Sequence, residues 1–127
     1  MTFITRHATV CLLAATLAGF PPPARADVPK AQRGEVDHLL QYLRDSDCRM
    51  IRNGKAHDGA EAAQHVQRKY DHFRDEIGST EEFIELSASR STMSGKPYQV
   101  QCPGEPEQAS RDWLLQELDS YRHLPQS

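Results

Sequence analysis

The apolar residues of the chain repeat at helical spacing in two long segments. In the first, they stand at i, i+3, i+4 and i+7, which predicts one apolar face of a helix over about 32–46: Val36, Leu39, Leu40 and Leu43. In the second, a 3-4-3-4 spacing predicts a helix from Asp58 to about Ile77, with its core face formed by Ala63, Val66, Tyr70, Phe73 and Ile77.

Capping signals mark where the helices begin. Asp58 and Ser79 are each followed three residues later by a glutamate, which is the spacing of a capping box. Gly78 is expected to end the helix that Asp58 opens, and Ser79 to open a third helix through about Arg90. Ser110 is expected to cap a last helix that carries Leu114, Leu118 and Tyr121 on one face.

Short segments between these helices resemble strands. Two of them flank Asn53-Gly54, and Asn-Gly is a strong hairpin signal because a type I′ turn needs positive φ at both central residues. Residues 97–102 alternate, with Tyr98, Val100 and Cys102 on one side. The sequence therefore predicts an α+β fold of about four helices packed with a small antiparallel sheet, made of a hairpin near 49–57 and a strand over 97–102.

The first 26 residues have the organisation of a secretory signal peptide. Arg6 precedes an uncharged run from Ala8 to Phe20, and Ala24-Arg25-Ala26 offers small residues at a cleavage site. A membrane span needs about 20 apolar residues, so this run is too short to be one. We expect export and cleavage after Ala26, which leaves residues 27–127 as a single domain. A buried N-terminal helix is the alternative.

Cleavage changes the charge and the cysteine count. The full chain has 15 basic and 18 acidic residues, and losing Arg6 and Arg25 leaves 13 basic residues and a net charge of −5. This acidic balance argues against nucleic-acid binding. Cys48 and Cys102 remain, and two cysteines in an oxidising compartment predict one disulfide. Their loop of about 55 residues corresponds to about 4 kcal/mol of stability in the chain-entropy model.

The disulfide has alternatives in chemistry and a consequence for topology. A redox pair or a pair of metal ligands is the other interpretation, but the chain has no C-x-x-C motif. If the bridge forms, the start of the hairpin and the end of the late strand are neighbours in one sheet.

One flank of the second helix carries ionisable residues within an arc of about 80°: Glu61, His65, Lys69, His72 and Glu76. Surface pairing at i, i+4 spacing explains such a row without a function. Alternatively, Glu61 orients His65 as the base of a small hydrolase or an envelope-polymer-modifying enzyme. A zinc site is weakly supported because the H-E-x-x-H pattern is absent, and we expect no metal and no cofactor.

Two further segments carry basic and polar residues without an evident structural need. The hairpin leads directly into the second helix, and the predicted disulfide brings the late strand beside the hairpin. We therefore expect both segments to meet the helix flank in one locally positive site. This hypothesis names eight ligand-binding residues: Arg52, His57, Glu61, His65, Lys69, Ser91, Lys96 and Tyr98. The amides at the helix N-terminus are expected to add to its attraction for anions.

The polar segment from Ser87 to Tyr98 has a simpler interpretation as well. It fails the G-x-x-x-x-G-K-[ST] phosphate-loop pattern, because Arg90 replaces the first glycine and Pro97 replaces the Ser/Thr. Ser87 and Ser91 share a helix face with apolar residues, which is typical of close packing with back-bonded hydroxyls. A polar pocket lined by these two serines is the alternative.

The same residues resemble the YfeK-like family of small exported proteins of unknown function. The resemblance spans roughly residues 35–122 and rests mainly on two segments, R-N-G-x-x-H from Arg52 and S-G-K-P-Y from Ser94. It implies a bacterial, periplasmic single domain and carries over no activity. We expect a monomeric, non-catalytic binding or interaction module whose partner is an anionic small molecule or an envelope protein.

Overall fold

The computed structural model describes residues 27–125, together with residues 11, 14–16 and 18–20. The rest of the predicted signal peptide lies outside the described residues, so its cleavage after Ala26 stays a prediction. The helices and strands are α1 Arg33–Asp45, β1 Arg49–Arg52, β2 Lys55–His57, α2 Gly59–Phe73, α3 Thr80–Ser87, β3 Gln99–Gln101, β4 Gln108–Ala109 and α4 Ser110–Arg122. Single 3-10 turns precede α1 at Lys30–Gln32 and follow α2 at Arg74–Glu76.

The predicted α+β architecture is confirmed. Four α-helices pack with one antiparallel sheet in the order β2-β1-β3-β4. β4 was not expected, because its two residues are too few to show an alternating pattern. It pairs Ala109 with Gln99 and leads directly into α4. None of the helices in the described ranges has the length and hydropathy needed to cross a membrane.

The hairpin forms as its Asn-Gly signal predicts. Asn53 and Gly54 have φ of 49° and 79°, the positive values that a two-residue type I′ turn requires. β1 and β2 pair across this turn, with Arg52 opposite Lys55 and Met50 opposite His57. The register places Arg52 and His57 on the same face of the hairpin, with Arg52 beside the turn and His57 two residues before α2.

The predicted disulfide joins Cys48 to Cys102. β1 and β3 pair Arg49 with Gln101, so the two cysteines stand opposite each other one position beyond the ladder. Their Cα atoms are 4.1 Å apart and the bridge spans 54 positions of sequence. The inference that the hairpin and the late strand are neighbours in one sheet is confirmed.

The helix caps are partly as predicted. The Asp58 carboxylate accepts a hydrogen bond from the backbone N–H of Glu61 at 2.9 Å, and the Ser79 hydroxyl accepts one from Glu82 at 3.1 Å. The prediction that Ser110 caps the last helix is wrong. Ala109 holds that position, and the Ser110 hydroxyl is fully buried without a hydrogen-bond partner. The reason is β4, which keeps the chain extended up to Ala109.

The core lies between the helices and one face of the sheet. The predicted apolar face of α1 is buried, and so are Tyr98, Val100 and Cys102 along the third strand. Further large buried side chains come from α2, α3, α4, β1 and the segments before α1 and after α2: Val28, Met50, Val66, Tyr70, Ile77, Phe83, Ile84, Trp113, Leu114 and Leu118. Tyr98 and Val100 are two residues apart along an extended segment, so both side chains face the core. On that side, Tyr98 contacts His65 of α2.

Candidate functional site

The hydroxyl group of Tyr98 joins two polar residues of α2. It lies 3.1 Å from Nε2 of His65, to which it is hydrogen-bonded, and it accepts a hydrogen bond from Nζ of Lys69 at 3.3 Å. His65 and Lys69 are four residues apart, so they lie on one face of the helix. Together with Arg52, these residues form what we call the basic cluster: Arg52, His65, Lys69 and Tyr98.

Backbone contacts on both sides hold Tyr98 in place. Its N–H donates to the carbonyl of Ser89 and its carbonyl accepts from the N–H of Ser110, each at 2.9 Å. The side chain is only 3% exposed. Because the backbone is fixed by two separate segments, the phenol ring is a rigid part of the site rather than a surface side chain that can turn away.

His65 is neutral at ordinary pH. Burial lowers the pKa of this imidazole to about 4, with further lowering by the positive charges of Arg52 and Lys69. A group with so low a pKa is a weak proton acceptor near neutral pH. His65 therefore contributes a neutral hydrogen-bonding ring to the cluster.

Lys69 and Arg52 are cations in a partly desolvated setting. Burial lowers the pKa of Lys69, and the charges of Arg52 and Arg90 lower it further. Burial likewise lowers the pKa of Arg52, although a guanidinium stays charged at any ordinary pH. The Nε atom of Arg52 is buried and has no hydrogen-bond partner. Arg52 thus lies close enough to Lys69 to disfavour the charge of the lysine.

No carboxylate pairs with these cations in the described part of the chain. Glu61 attracts Arg52 only at longer range, and its carboxylate is instead bonded to Nδ1 of His57 at 3.0 Å. The Glu61 side chain is 61% exposed. The basic cluster is therefore positive overall, although the whole chain has a net charge of −3.

The enzyme hypothesis requires a hydrogen bond between Glu61 and His65, and the described hydrogen bonds do not connect these two residues. Both His57 and His65 stand four residues from Glu61, so the spacing alone does not choose between them. Helical side chains lean towards the N-terminus of their helix, which directs the Glu61 carboxylate to His57. His65 instead contacts Tyr98, which lies outside the helix.

The N-terminus of α2, whose amides are expected from the sequence to attract anions, lies against oxygens of the chain itself. A Cβ on Gly59 would lie 2.5 Å from the carbonyl oxygen of Leu43 and 2.8 Å from that of Arg44. The last carbonyls of α1 therefore abut the first turn of α2. The next amides are occupied by Asp58, whose carboxylate binds Glu61 N–H and whose carbonyl binds Ala62 N–H. The N–H groups of Glu61 and Ala62 are therefore already bonded to oxygens of the chain itself.

Ser91 organises the loop that follows α3 and ties it to the hairpin. Its hydroxyl accepts from the backbone N–H of Ser94 at 3.2 Å and from the side-chain amide of Asn53 at 3.4 Å. Asn53 also accepts from the Ser94 hydroxyl at 2.7 Å. The Asn-Gly turn alone accounts for Asn53 in the sequence, and no local signal indicates this second role.

The structure places Lys96 apart from the basic cluster. Its backbone N–H donates to the Ser94 hydroxyl and its carbonyl accepts from the N–H of Ser91, so it closes the same loop. Its side chain is exposed, and within residues 27–125 no hydrogen bond or ion pair involves its amine. Of the eight predicted residues, His65, Lys69 and Tyr98 are in direct contact, with Arg52 close by. His57 pairs with Glu61, while Ser91 and Lys96 belong to the loop.

Comparison with known proteins places the chain in a family. Residues 30–122 match the "Family of unknown function (DUF5329)". The chain is also 36% identical over 90 residues to the "Uncharacterized protein YfeK" of Salmonella typhimurium (strain LT2), an alignment that covers 70% of this chain and 73% of that protein. The chain belongs to the DUF5329 family. No solved structure matches it.

Membership in DUF5329 confirms the resemblance to YfeK-like proteins. Neither description names an activity or a ligand, so the site of this DUF5329 protein has to be interpreted from its own geometry. Export and the eight proposed ligand-binding residues stay predictions.

In this DUF5329 chain, a cleft of about 430 Å³ opens beside the basic cluster. Lys69 lines it, together with the apolar side chains of Phe73 and Leu86 from α2 and α3. The loop after α3 forms another part of its wall through Ser91 and Thr92. We call this feature the Lys69 cleft.

Metal binding finds no geometric support in this DUF5329 protein. Among the residues that the structure describes, no group of three or more His, Cys, Asp or Glu side chains is arranged to hold a metal ion. The sequence offers Glu61 and His65 as a pair of metal ligands. In the structure Glu61 is bonded to His57, and His65 is bonded to Tyr98.

Proposed function

We propose that this DUF5329 protein is a periplasmic, non-catalytic binding module whose basic cluster takes an anionic small molecule. The observation that carries this proposal is the pair of partly buried cations, Arg52 and Lys69, which have no paired carboxylate among the residues that the structure describes. Removing a cation from water has a free-energy cost that an opposite charge normally offsets. A bound anion would supply that charge.

The donors of the cluster suit an anion. The described hydrogen bonds use none of the guanidinium nitrogens of Arg52, and Lys69 uses two of its three ammonium protons on Tyr98 and the carbonyl of Arg90. A carboxylate or phosphate oxygen can accept from these groups in charge-assisted hydrogen bonds, which are stronger than neutral ones. The preformed position of Tyr98 limits the entropy lost on binding.

A catalytic role is less well supported. A hydrolase based on His65 needs a nucleophile within hydrogen-bond reach of the imidazole and a base that is strong enough near neutral pH. The described partner of His65 is the phenol of Tyr98, and burial and nearby cations lower the pKa of His65 to about 4. Glu61, the intended orienting group, is bonded to His57.

Two observations support the periplasm as the location. The N-terminal segment has the pattern of a signal peptide, and Cys48 and Cys102 form a disulfide. Structural disulfides persist in oxidising compartments such as the bacterial periplasm. N-terminal sequencing of the protein recovered from that compartment should begin at Asp27. A sequence that begins at Met1 would contradict the export proposal.

Anion binding can be measured on the full chain expressed in a bacterium and purified from the periplasm. Titration with inorganic phosphate, followed by NMR, should shift the imidazole signals of His65 and the ring signals of Tyr98 in a saturable way. Arg52→Gln should weaken this binding at least tenfold, because it removes the half-buried charge.

Arg44→Gln is the matched control for the same titration. Arg44 is an exposed arginine of α1 whose described side-chain contact is with Gln41, so its loss should leave phosphate binding unchanged. If millimolar phosphate shifts neither His65 nor Tyr98, or if Arg44→Gln weakens binding as much as Arg52→Gln does, the basic cluster is not an anion site.

A further inference from the structure

We infer that the ligand of this protein is a monocarboxylate with an apolar arm, its carboxylate held by Lys69 and its arm lying in the Lys69 cleft along Phe73 and Leu86. This inference rests on the proposed anion-binding function and adds the ligand class. It depends on how the basic cluster continues into the cleft.

Lys69 connects the two parts of the site. Its Nζ donates to the carbonyl of Arg90 at 2.6 Å and to the Tyr98 hydroxyl at 3.3 Å, while its side chain also lines the cleft. An ammonium group has three protons, so one donor remains after these two contacts. A carboxylate at the inner end of the cleft can accept this proton.

The walls of the cleft suit a hydrocarbon or aromatic group. Phe73 and Leu86 are partly buried apolar side chains that pack against the core and line the cleft from two different helices. Small-molecule sites in proteins are commonly clefts of about 300–1,000 Å³ with mainly apolar walls and few polar groups. At about 430 Å³ the Lys69 cleft is within that range, and it is much larger than a bare phosphate or acetate ion requires.

The charges near the cleft favour an anion over a cation. Glu85 is the acidic residue that lines it, and its carboxylate is engaged by two arginines, Arg90 and Arg111. Lys69 and Arg90 line the cleft together with this one carboxylate, so the net charge of the lining is positive. An ammonium ligand would meet these cations, whereas a carboxylate meets opposite charges.

The loop wall of the cleft is preformed. The N–H of Gly95 donates to the carbonyl of Ser91 at 2.9 Å, and the Ser94 hydroxyl donates to Asn53 of the hairpin at 2.7 Å. These bonds tie the loop both to itself and to the sheet. A preformed wall needs little ordering when an apolar arm enters, which favours binding.

The test compares three probes on the full chain purified from the periplasm: acetate, hexanoate and inorganic phosphate. We expect hexanoate to bind at least tenfold more tightly than acetate, because only hexanoate has an arm to bury. Hexanoate should also shift the ring signals of Phe73, which acetate and phosphate should leave in place. Arg52→Gln should weaken the binding of all three probes.

A pair of loop variants tests where the arm lies. Thr92→Trp places a large ring at an exposed position that lines the cleft, so hexanoate should then bind no more than twofold tighter than acetate, with phosphate binding unchanged. Met93→Trp is the matched control: Met93 is 98% exposed and does not line the cleft, so the preference for hexanoate should persist.

The outcomes separate this inference from the proposed function. If phosphate shifts His65 but hexanoate binds no more tightly than acetate, the anion site stands and the apolar arm is wrong. If Thr92→Trp keeps the full preference for hexanoate, the arm does not lie in the Lys69 cleft and the inference is overturned. If none of the three anions shifts His65 or Tyr98, the proposed function itself fails.

Discussion

The Nε2 atom of His65 lies 3.1 Å from the hydroxyl oxygen of Tyr98, although 33 positions of sequence separate the two residues. The same oxygen accepts a hydrogen bond from Lys69. One phenol therefore fixes two side chains of α2 against the segment that leads into β3. The position of both polar groups in the basic cluster depends on this contact.

Replacing Tyr98 by phenylalanine removes this hydroxyl and keeps the ring. We expect Tyr98→Phe to lower the free energy of unfolding by about 1 kcal/mol, because His65 and Lys69 each lose a partner in a partly buried site. Phosphate binding should weaken severalfold, since Lys69 is no longer held. Urea denaturation and NMR titration measure the two effects.

Tyr121→Phe is the control for this substitution. Tyr121 stacks on His38 with ring centroids 4.1 Å apart, and among the described hydrogen bonds none uses its hydroxyl. It should therefore change neither stability nor binding. Equal effects of the two substitutions would show that the Tyr98 hydroxyl has no special role.

His65 should titrate at a more acidic pH than an ordinary histidine does. Burial and neighbouring cations lower its pKa from 6.5 to about 4, so its NMR signals should change near pH 4. Lys69→Met should raise that midpoint by removing one positive charge. A midpoint above pH 6 for His65 would contradict the described environment.

The same shift affects stability. The unfolded chain binds a proton at His65 at a higher pH than the folded chain does, so the folded state loses stability as the pH falls from about 6.5 to about 4. His65→Gln removes this component. The unfolding free energy of the variant should therefore depend less on pH than that of the wild type over this window, measured by urea denaturation at a series of pH values.

Arg122 connects three helices through two carboxylates. Its Nε donates to Glu35 at 2.6 Å, and its Nη1 donates to Glu81 at 2.5 Å. Glu35 is only 14% exposed and also accepts from Thr80. We expect Arg122→Gln to lower the unfolding free energy by about 1–2 kcal/mol, because it leaves a partly buried carboxylate short of donors.

A matched control and a pH series test the role of Arg122. Arg111→Gln removes an exposed arginine from the exposed Glu85 and should change stability by less than about 0.5 kcal/mol. Hydrogen bonds from Arg122 lower the pKa of Glu35 below its ordinary 4.5. The stabilisation is therefore present above that value and is lost as the pH falls below it. Equal losses for both arginines, or a loss that persists in strong acid, would contradict this assignment.

Gly59→Ala should be strongly destabilising. The added Cβ would lie 2.5 Å from the carbonyl oxygen of Leu43, which is backbone and cannot move aside cheaply. We expect a loss of about 2 kcal/mol or more in unfolding free energy. Gly34→Ala is the control, because its Cβ would meet its nearest atom only at 3.9 Å and helix propensity favours alanine there. Gly34→Ala should be neutral or stabilising, and thermal unfolding distinguishes the two.

The parts of the fold that could be predicted from sequence rest on local signals. The Asn53-Gly54 turn needs only two residues to specify its backbone, and the face of α1 follows from apolar spacing alone. The disulfide follows from counting cysteines after removal of the signal segment. β4 could not be predicted in this way, because two residues are too few to show an alternating pattern.

The side-chain contacts of the site were harder to predict, because tertiary packing determines which residues meet. The i, i+4 spacing from Glu61 allows His57 or His65, and the lean of helical side chains decides the matter. The hydroxyl of Ser87 also differs from expectation: it is buried without a partner, whereas Ser89 donates to the carbonyl of Ile84. The Asn53 contact with Ser91 and Ser94 arises only once the hairpin and the loop are side by side.

The bridge between Cys48 and Cys102 also bears on how the chain tolerates being cut. A protease that cleaves one peptide bond between these two cysteines, for example in the exposed segment around Met93, leaves both fragments covalently attached. The first fragment then carries α1 and the second carries α4, and the buried faces of both still belong to one core. A nicked molecule would therefore migrate as one species in electrophoresis until a reductant separates its two pieces.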